Sequence, residues 1–270
     1  MNKFTRKKNK QKHDFHLVDP SPWPILTAFS ILMLTLGAVM YFHSYVGGYF
    51  LLPTGFILLL LMLTFWWRDV VREATFEGRH TLRVQQGIKI GMILFLLSEI
   101  MFFFAFFWAL LHFSFNPGST VGGICPPATI YILNSWKIPL ANTILLLCSG
   151  ASVTWAHFAV VQGSKYQASV SLIITISLAI VFTSLQIFEY ATSPFSLADG
   201  AYASAFYMVT GLHGFHVFIG TCFLAVCLLR LHLNHFTREH HLGLEAAAWY
   251  WHFVDVVWLY LFLAVYWWGK

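Results

Sequence analysis

Residues 20–67 read PSPWPILTAFSILMLTLGAVMYFHSYVGGYFLLPTGFILLLLMLTFWW, a run without a single Lys, Arg, Asp or Glu. A helix needs about 20 apolar residues to cross the hydrocarbon core of a bilayer, so the run is about two crossings long. His43, Ser44, Gly47 and Gly48 fall between its halves, which predicts two helices joined by a tight turn.

The same measure applies outward along the chain. Residues 90–136 carry one charged residue, Glu99, and their second half is broken by Asn116, Pro117, Gly118, Gly122, Gly123, Pro126 and Pro127, which predicts one helix followed by a loop. Residues 138–164 and 166–188 are uncharged and flank Lys165, so each is one crossing around a short polar connection containing Gly163 and Lys165. Residues 200–229 are uncharged, and residues 246–269 hold only Asp255. The expectation is an all-α, polytopic membrane protein with seven transmembrane helices. Composition agrees: 58% of the 270 residues are apolar and 10% charged, against about 25% charged in ordinary soluble domains. Backbone amides in hydrocarbon must be satisfied within a segment, and no stretch alternates as a membrane barrel strand would.

Seven crossings place Lys3, Arg6, Lys7, Lys8, Lys10, Lys12, Arg68, Arg72, Arg79, Arg83, Lys89, Lys165, Arg230 and Arg238 on one side, leaving only Lys137 and Lys270 on the other. The positive-inside rule then puts the N-terminus on the matrix or cytoplasmic side. The net charge of +5 therefore reflects orientation and contact with anionic headgroups, and gives no case for nucleic acid. The Lys-rich start is short and runs into the helix entry DPSPWP, which favours a retained basic tail over residues 1–19 rather than a cleaved presequence. Cys125, Cys148, Cys222 and Cys227 form no CxxC pair and read mostly as thiols buried in apolar helices.

The longest charged connection, residues 68–89, divides a two-helix unit (20–67) from a five-helix bundle (90–270). Its charges stand at i,i+3 and i,i+4 spacing, which fits a short interfacial helix, either as a solvated amphipathic face or as a rim that binds headgroups. Gly87 and Gly91, and Gly211, Gly214 and Gly220, are small residues at which helices in lipid approach closely. Trp23, Trp66, Trp67, Trp136, Trp267 and Trp268 fit an interfacial belt.

An ionisable group inside a membrane costs on the order of 3 kcal/mol and calls for an explanation. Glu99 lies near the middle of the third helix, either as a proton-linked or lipid-facing carboxyl or as a neutral acid bonded to a neighbouring helix. Asp255 lies three residues after His252 on one face of the last helix, a spacing open to a proton relay or to interhelical packing. Glu189 and Glu245 stand near helix ends, where snorkelling to water makes them cheaper. His157, His213, His216 and His252 are all in predicted helices, but no His-x-x-Glu pair, His triad or Cys–His copper set accompanies them. His213 and His216 read as a packing network beside glycines. No metal ligation, phosphate loop, nucleophile elbow or catalytic residue is expected of this chain.

Five ordered motifs carry a resemblance: WWRDVVREATFEGRHT, GMILFLLSEIMFFFAFFWA, SGASVTWAHFAV, GLHGFHVFIG and HHLGLEAAAWYWHFVDVVWLYLFLAVYWWG. Together they resemble the subunit III family of cytochrome c oxidase, from DPSPWP to the C-terminus, with the Lys-rich residues before Asp14 as the main departure. The resemblance implies that the first two helices lean away from the other five and leave a cleft holding phospholipids. Around that lipid it places Trp67, Arg72, His80, Glu99, Arg230 and His235, with the bases at headgroups and Glu99 deeper. It further implies structural phospholipids as the chain's own bound molecules, with haem and copper held by subunits I and II. The implied work is to stabilise subunit I and its proton uptake, in a complex that passes electrons from cytochrome c to oxygen and pumps protons. The implied location is the mitochondrial inner membrane, with the C-terminus in the intermembrane space. Two alternatives stand beside it: an independent ion or proton transporter using Glu99 and Asp255, and subunit III of a quinol oxidase. The first would need broken helices or an inverted repeat, and quinol-oxidase counterparts tend to lack the first two helices.

Overall fold

The absence of charge over residues 20–67 leads to two helices folded on each other, α1 (Trp23–Phe42) and α2 (Gly48–Thr75). Proline near the first turn suits α1, because the missing N–H there has no intrahelical acceptor. The seam between α1 and α2 is built on glycine. A Cβ on Gly37 would lie 2.5 Å from the backbone nitrogen of Leu52, on Gly48 2.5 Å from that of Tyr41, and on Gly55 2.6 Å from that of Leu34. Without those side chains the backbones come close enough for dispersion contact along the seam, the main attraction available between helices in lipid. At the far end Trp23 donates its indole N–H to Asp69 at 2.6 Å and stacks on Phe65.

The computed structural model describes residues 13–117, 123–127, 130–131 and 133–268. Lys3 to Lys12 of the basic tail, Gly118, Gly122 and Lys270 lie outside the described residues. Seven helices among the described residues are long and apolar enough to cross a membrane, as charge counting predicts. The others are α3 (Leu82–Phe115), α4 (Ile138–Gln162), α5 (Lys165–Thr192), α6 (Ala201–His232) and α7 (Leu242–Leu261), which continues as a π-helical turn over Phe262–Trp267.

The chain divides into two compact units, Met1–Ile88 and Lys89–Lys270. In the first, the connection expected over 68–89 is much shorter. Helix α2 runs on to Thr75 and α3 begins at Leu82, so 76–81 alone join them and no separate interfacial helix forms. Residues 68–75 already carry helical charge spacing, so extending α2 beyond its apolar stretch keeps every backbone bond while the charges project from its last turns. Residues 14–19 are tied to this connection: Thr81 donates to the carbonyl of Asp14, Arg79 pairs with Asp19 at 3.1 Å and Glu77 at 2.8 Å, and His16 lies 3.5 Å from Glu73.

In the second unit α4, α5, α6 and α7 close a ring in which each packs on its neighbours and α4 also meets α7. Its centre is aromatic, with Trp251, Trp258, Phe182 and Tyr266 fully buried. The indole N–H groups are satisfied across helices: Trp251 donates to Ser149 and Trp258 to Thr143, each at 2.9 Å. Helix α3 adds to the ring through long side chains, with Phe103 against His216 and Phe107 edge-on to Tyr260 at 4.4 Å. Of the glycines expected to draw helices together, only Gly220 does so, against Trp251. A Cβ on Gly87, Gly91, Gly211 or Gly214 meets no described atom within 4 Å; Gly87 and Gly91 are exposed, Gly211 and Gly214 half-buried. The cysteine expectation also changes: Cys227 is buried, whereas Cys148 and Cys222 are exposed, and all four thiols are free.

Candidate functional site

Glu99 sits near the midpoint of α3 and His216 near the midpoint of α6, and the structure joins them. Glu99 Oε2 lies 2.9 Å from His216 Nε2. His216 Nδ1 lies 2.8 Å from the carbonyl oxygen of Leu212. A carbonyl only accepts, so Nδ1 carries hydrogen. The contact between Nε2 and Glu99 then contains one further proton, on the carboxyl or on the ring, and the pair is electrically neutral either way. This is how a carboxyl at mid-helix avoids standing as an isolated charge. Phe103 packs on the same imidazole at 4.9 Å, and Tyr250 stacks parallel to it at 6.2 Å.

His213, one turn away, packs against α5 and α7. It is 1% exposed, donates through Nε2 to the carbonyl of Val254 at 3.2 Å, and lies between Phe182 and Trp258. Asp255 and His252 share a face as their spacing predicts, with Oδ2 and Nδ1 3.8 Å apart. They differ in setting: Asp255 is buried, whereas His252 is exposed and bonds Thr154 through Nε2 at 3.1 Å. Room for the carboxyl comes from Gly150 of α4, where any Cβ would overlap Asp255 Oδ2.

Glu189 and Glu245 both depart from the expectation of snorkelling. Glu189 is 2% exposed and accepts from the Tyr266 hydroxyl at 2.7 Å and the Gln186 amide at 3.3 Å. Gln186 in turn accepts from Asn142 at 3.3 Å, so a polar chain links α4, α5 and the end of α7. Glu245 pairs with Lys89 at 2.6 Å and with His241 at 3.5 Å. Position near a helix end suggested water, but packing sets Glu189 against the end of α7 and Glu245 against Lys89 of α3. The pairings of Tyr266, Gln186 and Gly150 leave no mark in the sequence, since a lone Tyr, Gln or Gly in an apolar run carries no periodic signal.

The residues placed around lipid by resemblance fall in both units. In the first, Trp67 is exposed, Arg72 is exposed with Glu77 at 3.8 Å, and the His80 ring lies 5.6 Å from that of His16. In the second, Arg230 is partly buried at the end of α6, its guanidinium 4.6 Å over the Phe236 ring. His235 follows on the turn closed by its N–H to the Arg230 carbonyl at 3.0 Å. Burial and the nearby Arg230 charge push the His235 imidazole pKa below its ordinary value. No acidic side chain pairs with Arg230 among the described residues, and its Nε is buried without a hydrogen-bond partner there.

Seven apolar helices, two of them holding a neutral acid–base pair near their midpoints, define a polytopic helical membrane protein. The sequence profile of the family described as cytochrome c oxidase subunit III matches residues 13–270, and the chain belongs to that family. Among similar proteins, cytochrome c oxidase subunit 3 of Pylaiella littoralis is 59% identical over 259 residues, covering 96% of this chain and 95% of that one. Its counterpart in Prototheca wickerhamii is 58% identical, covering 96% and 99% of the two chains, and that of Arabidopsis thaliana is 55% identical, covering 96% and 98%. None of these findings supports the independent-transporter reading.

Proposed function

We propose that this chain is an accessory subunit of the cytochrome c oxidase complex in the mitochondrial inner membrane, stabilising subunit I and its proton uptake and holding phospholipid. Its neighbours are subunits I and II, which carry the haem and copper, together with other subunits of the complex. The reading rests on family membership across residues 13–270 and on close identity to proteins named as this subunit. Electron transfer from cytochrome c to oxygen, coupled to proton pumping, is then the work of the complex. The distribution of Lys and Arg supports an N-terminus in the matrix and a C-terminus in the intermembrane space.

The observation that carries the lipid role is Arg230. A partly buried guanidinium that lacks an acidic partner among the described residues favours an anionic ligand, and a phosphate oxygen pair matches its planar fork. His235 lies beside it, and Trp67, Arg72 and His80 offer aromatic and basic groups of the kind that meet headgroups. Glu99, neutral with His216, stands deeper, at the level of acyl chains.

Two measurements test the proposal. Complex purified with Arg230→Gln in place of the native chain should retain less phospholipid phosphorus than wild type, and equal retention would count against the lipid role. Complex prepared without this chain should keep its full haem and copper in subunits I and II while losing proton-uptake rate and stability. A proportional loss of haem or copper with intact partners would refute the accessory reading.

A further inference from the structure

Far from Glu99, where α4 ends and α7 begins, two histidines and a glutamate converge. His157 is in the penultimate turn of α4, His241 immediately precedes α7, and Glu245 is in the first turn of α7. One ligand atom from each lies within 4.8 Å of the others. The His157 and His241 rings meet edge to face at 5.3 Å, and His241 Nε2 lies 3.5 Å from Glu245 Oε1.

We propose that His157, His241 and Glu245 form a binding site for a divalent cation of the zinc class. Protonation at His241 supports the assignment. Its Nδ1 lies 3.1 Å from the carbonyl oxygen of Thr237, which only accepts, so Nδ1 carries hydrogen and Nε2 presents a lone pair toward the cluster. An imidazole tautomer held by a backbone carbonyl is the usual outer partner of a metal-bound histidine. The Thr237 turn is itself fixed, since its N–H bonds the His240 carbonyl at 3.2 Å and its hydroxyl accepts from the His240 N–H at 3.0 Å. His157 Nε2 is buried without a hydrogen-bond partner among the described residues, so that ring nitrogen is uncommitted. Glu245 divides its two oxygens: Oε2 takes the Lys89 ammonium at 2.6 Å, and Oε1 faces the histidines. That division suits a carboxylate bound to metal through one oxygen and held from behind by a cation.

Two neutral imidazoles and one carboxylate select zinc-class ions over magnesium and calcium, which prefer all-oxygen shells. Tetrahedral zinc with bonds of about 2.0–2.2 Å sets ligand atoms about 3.4 Å apart, so side-chain rotations of roughly 1 Å close the cluster. Three protein ligands leave a fourth position for water. Bound there, the ion clamps α4 to α7 and, through Glu245, to Lys89 of α3. The site was not visible as a motif because the His241–Glu245 spacing is four rather than three, and His157 comes from another helix.

The test uses the assembled complex, washed with chelator, dialysed against micromolar Zn²⁺ and analysed for bound zinc, so that ions on other subunits cancel in the difference. Wild type should hold about one equivalent more than His241→Ala or Glu245→Gln, while His252→Ala, a histidine outside the cluster, should match wild type. Equal zinc in wild type and both cluster variants would overturn the proposal, as would displacement of that equivalent by millimolar Mg²⁺. Should a variant fail to assemble, a zinc-edge anomalous map of the wild-type complex decides: a peak within about 2.2 Å of all three ligand atoms is expected. No peak there after zinc dialysis would overturn it. Phospholipid phosphorus in the same preparations reads the lipid role separately, and a change in one without the other keeps the two proposals distinct.

Discussion

Nε2 of His216 lies 2.9 Å from Oε2 of Glu99, and the N–H at Nδ1 of the same ring is already committed to the Leu212 carbonyl. One proton therefore lies between an acid on α3 and a base on α6. The motif around Glu99 showed an ionisable group at mid-helix; the fold supplies the partner that makes it affordable.

Replacing Glu99 separates the donor role from the charge. Glu99→Gln keeps an N–H that donates to Nε2 and should leave the melting temperature of the complex nearly unchanged. Glu99→Ala leaves a buried acceptor unpaired and should cost about 1–3 kcal/mol. Thermal melts of the two variants read this directly, and equal losses would show that the hydrogen bond to His216 is not what holds the helices.

The glycine seam predicts a contrast between positions that look alike in sequence. Gly37→Ala puts a methyl into the backbone of α2 and should destabilise the α1–α2 pair by about 1–3 kcal/mol. Gly91→Ala opens onto free space and should change stability by no more than about 0.5 kcal/mol. Limited proteolysis within residues 43–47 of each variant measures the difference, and similar cleavage rates would contradict the close approach at Gly37.

Gly150 and Asp255 should be coupled. Gly150→Ala overlaps the Asp255 carboxyl and should destabilise by about 1–3 kcal/mol, whereas the same change in an Asp255→Ala background should cost much less. A double-mutant cycle on unfolding midpoints gives the coupling; additive losses would mean that the carboxyl does not occupy the space the glycine leaves.

His235 sets a pH dependence at the end of α6. Its imidazole pKa is held below the ordinary value by burial and by Arg230, so acid charges it more readily in the unfolded chain than in the folded one. Stability is then lost as pH falls through the unfolded value of about 6.5 and on through the lower folded value. His235→Gln should flatten the decline in melting temperature between about pH 7 and pH 5, and an unaltered slope would remove His235 as its source.

Much of this protein was legible from charge alone. The intervals between Lys, Arg, Asp and Glu counted seven helices correctly because hydrocarbon tolerates no unpaired backbone and few charges, so length and polarity translate directly into crossings. The same logic overextended the connection over 68–89, because helices need not stop where apolarity does, and α2 carries Arg68, Asp69, Arg72 and Glu73 on its final turns. It also misjudged Glu189 and Glu245, whose distance from a helix end said nothing about the neighbours awaiting them.

What the sequence determined by itself was the number of crossings, the charge asymmetry between their ends and, through long ordered motifs, the family. Tertiary structure alone decided which polar groups meet: Glu99 with His216, Glu189 with Tyr266, Asp255 with the hollow at Gly150, and His157 with His241 and Glu245. Crossing a membrane is a property of each segment and its solvent, readable one helix at a time. Pairing across helices depends on rotation and depth of packing, which in a helix apolar on every side no periodicity records.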